Sequence, residues 1–127
     1  MQQIADARRI LIVDDSSTSR MIVRRCFEIA SPGPLIFYEA ADGAAALEFL
    51  HAHEVDLIVT DVNMPEMDGM TFVWKTKVSR RLQSIPILVL SSMMDEQLQC
   101  AFAGLGVAGF IQKPLSPAKV AELIEDR

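Results

Sequence analysis

Short, uninterrupted apolar runs alternate along this chain with longer stretches in which apolar residues recur at helical spacing. Residues 10–13 are apolar throughout and run into two aspartates. Residues 35–38, 57–59, 85–90 and 107–111 are similar in length and rich in Ile, Val and Leu. Continuous rather than alternating apolar character suits strands of a parallel sheet covered on both faces. Between residues 16 and 30, Ile22, Cys26 and Ile29 repeat at helical spacing, with Arg20, Arg24 and Arg25 marking a wetter side. Ala46, Leu47 and Leu50 continue the pattern after Ala41, Asp42 and Gly43, and Trp74 falls in a further helical stretch beside Lys75 and Lys77. Leu98, Ala101, Phe102 and Leu105 form one apolar stripe. The last helix opens with Ser116 as N-cap and Pro117 at its first position, then buries Val120, Leu123 and Ile124. Five strands alternating with five helices predict an α/β fold, a doubly wound sheet with right-handed crossovers.

At 127 residues the chain is expected to form a single domain, with residues 1–8 a short polar extension ahead of the first strand. The net charge of −5 argues against a nucleic-acid partner, because phosphate backbones are gripped by clustered Lys and Arg. The first residues lack the apolar core of a signal peptide, and no apolar run approaches the ~20 residues needed to cross a membrane. Cys26 and Cys100 lie in separate helical patterns. A cytoplasmic protein with free thiols is the expectation.

In a doubly wound sheet the ligand site lies beyond the carboxyl ends of the strands. The first predicted strand ends at Asp14 and Asp15, the third at Thr60 and Asp61, the fourth at Ser91 and Ser92, the fifth at Gln112, Lys113 and Pro114. Three carboxylates, two hydroxyls and one amine therefore converge on one rim. Like charges ~4 Å apart repel by about 4 kcal/mol at an effective dielectric near 20, so such a rim calls for a cation. Oxygen donors without His or Cys nearby in sequence fit Mg²⁺ better than Zn²⁺. A carboxylate is also a nucleophile toward phosphorus, and Mg²⁺, the Lys113 ammonium and the Ser91 hydroxyl would each cover one phosphoryl oxygen.

Each piece also has an ordinary structural use. Asp14 and Asp15 could cap the first helix, Asp61 could be a turn residue before Asn63, Met64 and Pro65, Ser91 a helix cap, and Lys113 a solvated amine. Their joint placement at successive strand ends is what distinguishes them. His51 and His53 point to different faces of one helix and carry little weight as metal ligands. The seven methionines read as core filler and loop anchors.

The stretch Ile10-Leu11-Ile12-Val13-Asp14-Asp15-Ser16-Ser17, the stretch Asp61-Val62-Asn63-Met64-Pro65-Glu66-Met67-Asp68-Gly69, and Lys113-Pro114 resemble the receiver domain of two-component response regulators. The match runs from about Arg8 to the C-terminus and looks most like the chemotaxis type. The resemblance implies a flavodoxin-like sheet in the order 2-1-3-4-5. It implies that Asp61 accepts a phosphoryl group from a partner histidine kinase, with Asp15, Asp61 and the Asn63 backbone carbonyl binding Mg²⁺ and Asp14 assisting through water. Ser91 and Phe110 fall at the family's switch hydroxyl and switch aromatic, and Lys113-Pro114 at its frequently cis peptide. The output surface would be the face of the fourth helix, fifth strand and fifth helix. A monomeric switch rather than an enzyme is implied, signalling to a separate protein such as a flagellar motor component, with a phosphatase as a further partner.

Phe110 stands where chemotaxis members commonly have Tyr, and Met93 where many carry a charge; the expectation is slow self-dephosphorylation. A phosphorelay intermediate or a phosphate sink outside chemotaxis are the alternatives. A phosphomonoester hydrolase would want an acid at position 63, where this chain has Asn63.

Overall fold

The computed structural model describes residue 4 and residues 6–64, 67–93 and 95–125, with backbone only at 125. Pro65 and Glu66 of the 61–69 motif lie outside the described residues. The described elements run β1 (Arg9–Val13), α1 (Ser17–Ala30), β2 (Ile36–Ala40), α2 (Gly43–Ala52), β3 (Leu57–Asp61), α3 (Gly69–Val78), β4 (Ile87–Ser91), α4 (Glu96–Gly104), β5 (Gly109–Gln112) and α5 (Pro117–Glu125). The five strands are parallel and ordered β2-β1-β3-β4-β5, as the flavodoxin-like reading requires.

Strand alternation divides the core in two. Leu11, Val13, Ile58, Ile87 and Val89 face α2, α3 and α4, where Ala46, Leu50, Phe72, Val73 and Phe102 pack against them. Ile10, Ile12, Leu57, Val59, Leu88 and Leu90 face α1 and α5, meeting Val23, Cys26, Phe27 and Val120. Both faces of the central strands are thus dry, which is why their sequences read as unbroken apolar runs.

Each helix begins on a side-chain cap, which fixes where the chain leaves the rim. Ser16, Asp42, Asp68 and Asp95 accept from backbone N–H groups of the first turns of α1 to α4, and Ser116 Oγ accepts from Lys119 N at 3.2 Å. Such caps contribute about 1 kcal/mol apiece. Gly106, at φ 83°, takes the left-handed conformation that ends α4.

Besides β2 running Ile36–Ala40 rather than 35–38, and Ala101 of the α4 stripe being exposed, four details differ from the sequence expectation. The buried stripe of α1 is Val23, Cys26 and Phe27, while Ile22 and Ile29 are 46% and 59% exposed. With apolar residues at 21, 22, 23, 26, 27, 29 and 30, two helical registers fit this segment, and packing on β1 selects the one carrying Phe27. β4 starts at Ile87, because Ile85 N is spent in a turn on Leu82 O and Pro86 has no N–H for the ladder. β5 starts at Gly109, since Val107 still bonds back to α4. Finally, Ile4 and Ala7 are buried in the α1/α5 core, so the segment before β1 is part of the core and not only a polar extension.

Candidate functional site

At the carboxyl edge of the sheet, β1 ends beside β3, bringing Asp14 and Asp15 next to Asp61. One carboxylate oxygen from each lies within 4.8 Å of one from each of the others, and they are the one group of three potential metal-ligating acids among the described residues. Asp14 is buried, Asp61 half-buried and Asp15 exposed, so the cluster opens to solvent on the Asp15 side.

Lys113 reaches in from the end of β5. Its Nζ donates to Asp14 Oδ2 at 3.1 Å and to Ser19 Oγ at 3.3 Å, and lies 3.3 Å from Asp61 Oδ1. The Lys113–Pro114 peptide is cis, and Lys113 N is anchored on Ser91 O at 2.7 Å. Three carboxylates against one ammonium leave the rim with excess negative charge.

The titration of these groups follows from their surroundings. Burial pushes the Asp61 carboxyl up, and the Asp14 charge adds to that against the opposing pull of Lys113; it ends above its ordinary value. Asp14 suffers burial too, but hydrogen bonds from Ser19, the Ser16 backbone N–H and Lys113 hold it below. Burial works against the Lys113 ammonium, yet the two carboxylates keep it above its usual range. Asp61 is thus the carboxylate in the pair with the poorer internal satisfaction. An all-oxygen donor set with surplus negative charge fits a hard divalent cation.

Ser91 is buried at the end of β4, but its hydroxyl is taken up locally, donating to Met93 O at 3.0 Å and accepting from Met93 N at 3.2 Å. Phe110 is half-buried, cross-strand from Val89, its ring 5.8 Å from that of Phe102. Asn63 is exposed on the loop after β3. His51 and His53 are exposed and remote from this rim; His53 stacks on Phe49 at 4.0 Å.

Three residues escaped the sequence reading. Ser19 is one, as the third partner of Lys113. Arg20 is the second: read as a wet-side residue, its guanidinium instead folds onto the rim, Nε 2.6 Å from Glu39 Oε1 and an Nη 2.6 Å from the Asp14 carbonyl oxygen. Both lie in the first turn after the Ser16 cap, which places them over the end of β1; that offset was the available signal. Gly69 is the third. A Cβ there would stand 2.5 Å from Asp61 O and 2.8 Å from Val62 Cα, while Gly69 N donates to Val62 O at 2.7 Å. Only a residue without a side chain lets α3 start against the backbone of Asp61.

A five-stranded parallel sheet with an acid cluster and a lysine at its carboxyl edge defines a receiver-type signalling domain. The response regulator receiver domain family matches residues 10–125, and the chain belongs to that family. It is 35% identical to the chemotaxis protein CheY of Pseudomonas aeruginosa, over 92% of this chain and 93% of that protein. It is 34% identical to CheY-3 of Vibrio cholerae, over 92% and 88%. It is also 36% identical to part of the sensor histidine kinase TmoS of Ectopseudomonas mendocina, where it spans 94% of this chain but 12% of that protein. Among solved structures, the chemotaxis response regulator CheY4 of Vibrio cholerae superposes with a TM-score of 0.81 at 29% identity, covering 93% of this chain and 96% of that one. The chain is a CheY-like receiver. Among the described residues no helix is long and apolar enough to cross a membrane.

Proposed function

We propose that this chain is a cytoplasmic phosphoryl-accepting switch, a single receiver domain over residues 1–127, in which Asp61 takes a phosphoryl group from a phosphohistidine of a partner histidine kinase. The observation that carries the reading is the Lys113 ammonium held between Asp14 Oδ2 and Asp61 Oδ1, at 3.1 and 3.3 Å, inside a three-carboxylate cluster. In the transfer an Asp61 oxygen forms a bond to phosphorus as the phosphorus–nitrogen bond of the donor breaks, and the imidazole leaves with its electron pair. Lys113 would neutralise one phosphoryl oxygen. Asp14, Asp15 and Asp61, with the Asn63 carbonyl, are the groups that would hold Mg²⁺, which when bound supplies further neutralisation of charge on those oxygens.

The new dianion competes for donors now engaged elsewhere. The Ser91 hydroxyl leaves the Met93 backbone for the phosphoryl group, and Phe110 turns into the space behind it; together they alter the face of α4, β5 and α5. The reader of that face is a separate protein, in chemotaxis a flagellar motor component. Likeness to CheY proteins over nearly their whole length supports this. A phosphorelay intermediate is the second reading, favoured by the likeness to a segment of a sensor histidine kinase. Capture of partners with and without beryllofluoride and Mg²⁺ tests the proposal. A protein retained only in the beryllofluoride state is expected; identical partners in both states would refute switching.

A further inference from the structure

Helix α3 is apolar on two sides, and the fold covers one of them. Gly69, Phe72, Val73 and Thr76 form the buried stripe against the sheet. On the opposite side Thr71, Trp74, Lys75 and Val78 follow the same i, i+3, i+4, i+7 spacing and are all exposed, Trp74 at 52% and Val78 at 59%. One turn apart, the indole and the valine side chain make a continuous apolar strip.

The charge around that strip is one-sided. Lys75, Lys77, Arg80 and Arg81 crowd into the end of α3 and the turn after it, in a chain of net charge −5. Elsewhere Arg9, Arg20, Arg24, Arg25 and Lys113 have carboxylate partners, while Arg8 and Lys119, which bond backbone carbonyls, stand apart from one another and form no cluster of four. Here Lys77 donates to Gln83 O and Arg81 to His51 O, both backbone carbonyls, which leaves the positive charge uncompensated. Lys75 and Arg80 are exposed, and their side chains have no hydrogen-bond or carboxylate partner among the described residues.

We infer that the outward face of α3 docks an acidic, amphipathic segment of a partner protein, apolar side chains resting on Trp74 and Val78 and carboxylates meeting Lys75 and Arg80. Charge complementarity selects this occupant. A polyphosphate chain has no apolar groups to cover Trp74 and Val78, and a second copy of this chain pairing α3 with α3 brings the same basic helix to the contact. An aromatic anchor ringed by cations is the composition of a binding hot spot. The surface is built from α3 and the turn after it and stands independently of the acceptor chemistry.

Trp74 is the only tryptophan in the chain, so its fluorescence reports on this face directly. The probe is a synthetic amphipathic peptide of about 15 residues, enough to form a helix on docking, with Leu along one face and Glu elsewhere. Titration into the full chain should shift the Trp74 emission saturably, and high salt should weaken binding about tenfold. The double variant Lys75→Glu/Arg80→Glu should bind at least about tenfold more weakly with an unchanged melting temperature, since both side chains are exposed. Calorimetry on Trp74→Ala should show the same loss. Equal binding of a Lys-substituted peptide, or no response at saturating peptide, would overturn the inference. So would a response to anionic vesicles but not to peptide, or a dimer in sedimentation that Trp74→Ala disperses.

Discussion

Lys113 Nζ sits 3.3 Å from Asp61 Oδ1 while donating to Asp14 Oδ2 at 3.1 Å, so a single ammonium is shared between two carboxylates. That sharing sets up a competition. A divalent cation entering the cluster must coexist with the ammonium, and removing the ammonium strengthens the field that draws the cation in. Lys113→Met should therefore bind Mg²⁺ more tightly than wild type while accepting phosphoryl groups at least about tenfold more slowly, having lost a positive charge aimed at the transition state. Opposite movements of Mg²⁺ affinity and labelling rate separate this from a merely misfolded variant.

Mg²⁺ should raise the melting temperature of wild type, because a ligand of the folded state alone stabilises it. In Asp61→Asn that rise should shrink sharply. The metal-free variant should also melt higher than metal-free wild type at neutral pH, since burial and Asp14 make the ionised Asp61 carboxylate unfavourable in the fold. Differential scanning calorimetry with and without Mg²⁺ reads both effects.

Gly69→Ala puts a methyl group where the backbone of Asp61 and Val62 already stands, at 2.5 and 2.8 Å. α3 must move or the end of β3 must shift. The expected cost is about 1–3 kcal/mol in urea unfolding, accompanied by weaker Mg²⁺ binding. Loss of stability with unchanged Mg²⁺ affinity would show that the glycine serves packing alone.

At the other end of the sheet, Asp56 accepts from the backbone N–H groups of Arg8 and Arg9 and pairs with the Arg9 guanidinium at 3.2 Å. Burial raises its carboxyl, but these donors outweigh burial and hold it below its ordinary value. A depressed folded-state value means its stabilisation is complete above the unfolded-state value, near 3.9, and disappears as pH falls through the lower folded-state one. Asp56→Asn should cost about 1–2 kcal/mol at pH 7, after discounting for partial exposure. The variant's stability should fall less than that of wild type on acidification below about pH 4.

Met93 is 66% exposed in the loop that holds Ser91. An apolar side chain there offers no carboxylate to orient water toward the acyl phosphate, so its lifetime without a phosphatase should be minutes or longer. Met93→Glu should shorten it several-fold, read from decay of labelled protein. A wild-type half-life of a few seconds would contradict this.

The elements that carry the site were legible because strand ends are abrupt in sequence. Asp14 and Asp15, Asp61, Ser91 and Lys113 each follow an apolar run, and topology does the rest. What was illegible depends on side-chain paths or backbone approach. Arg20 could have pointed to water; it folds back because Glu39 and the Asp14 carbonyl accept from its guanidinium. Gly69 looked like the close of a loop motif, and only the crossing of α3 over β3 shows why no Cβ fits. The two readings of α1 differ by one residue, and periodicity alone cannot choose between Ile22 and Val23.

The most direct measurement is the mass of the protein after incubation with acetyl phosphate and Mg²⁺. The account predicts addition of one phosphoryl group to wild type and none to Asp61→Ala. Equal labelling of the Asp61→Ala variant would contradict the assignment of Asp61 as the acceptor.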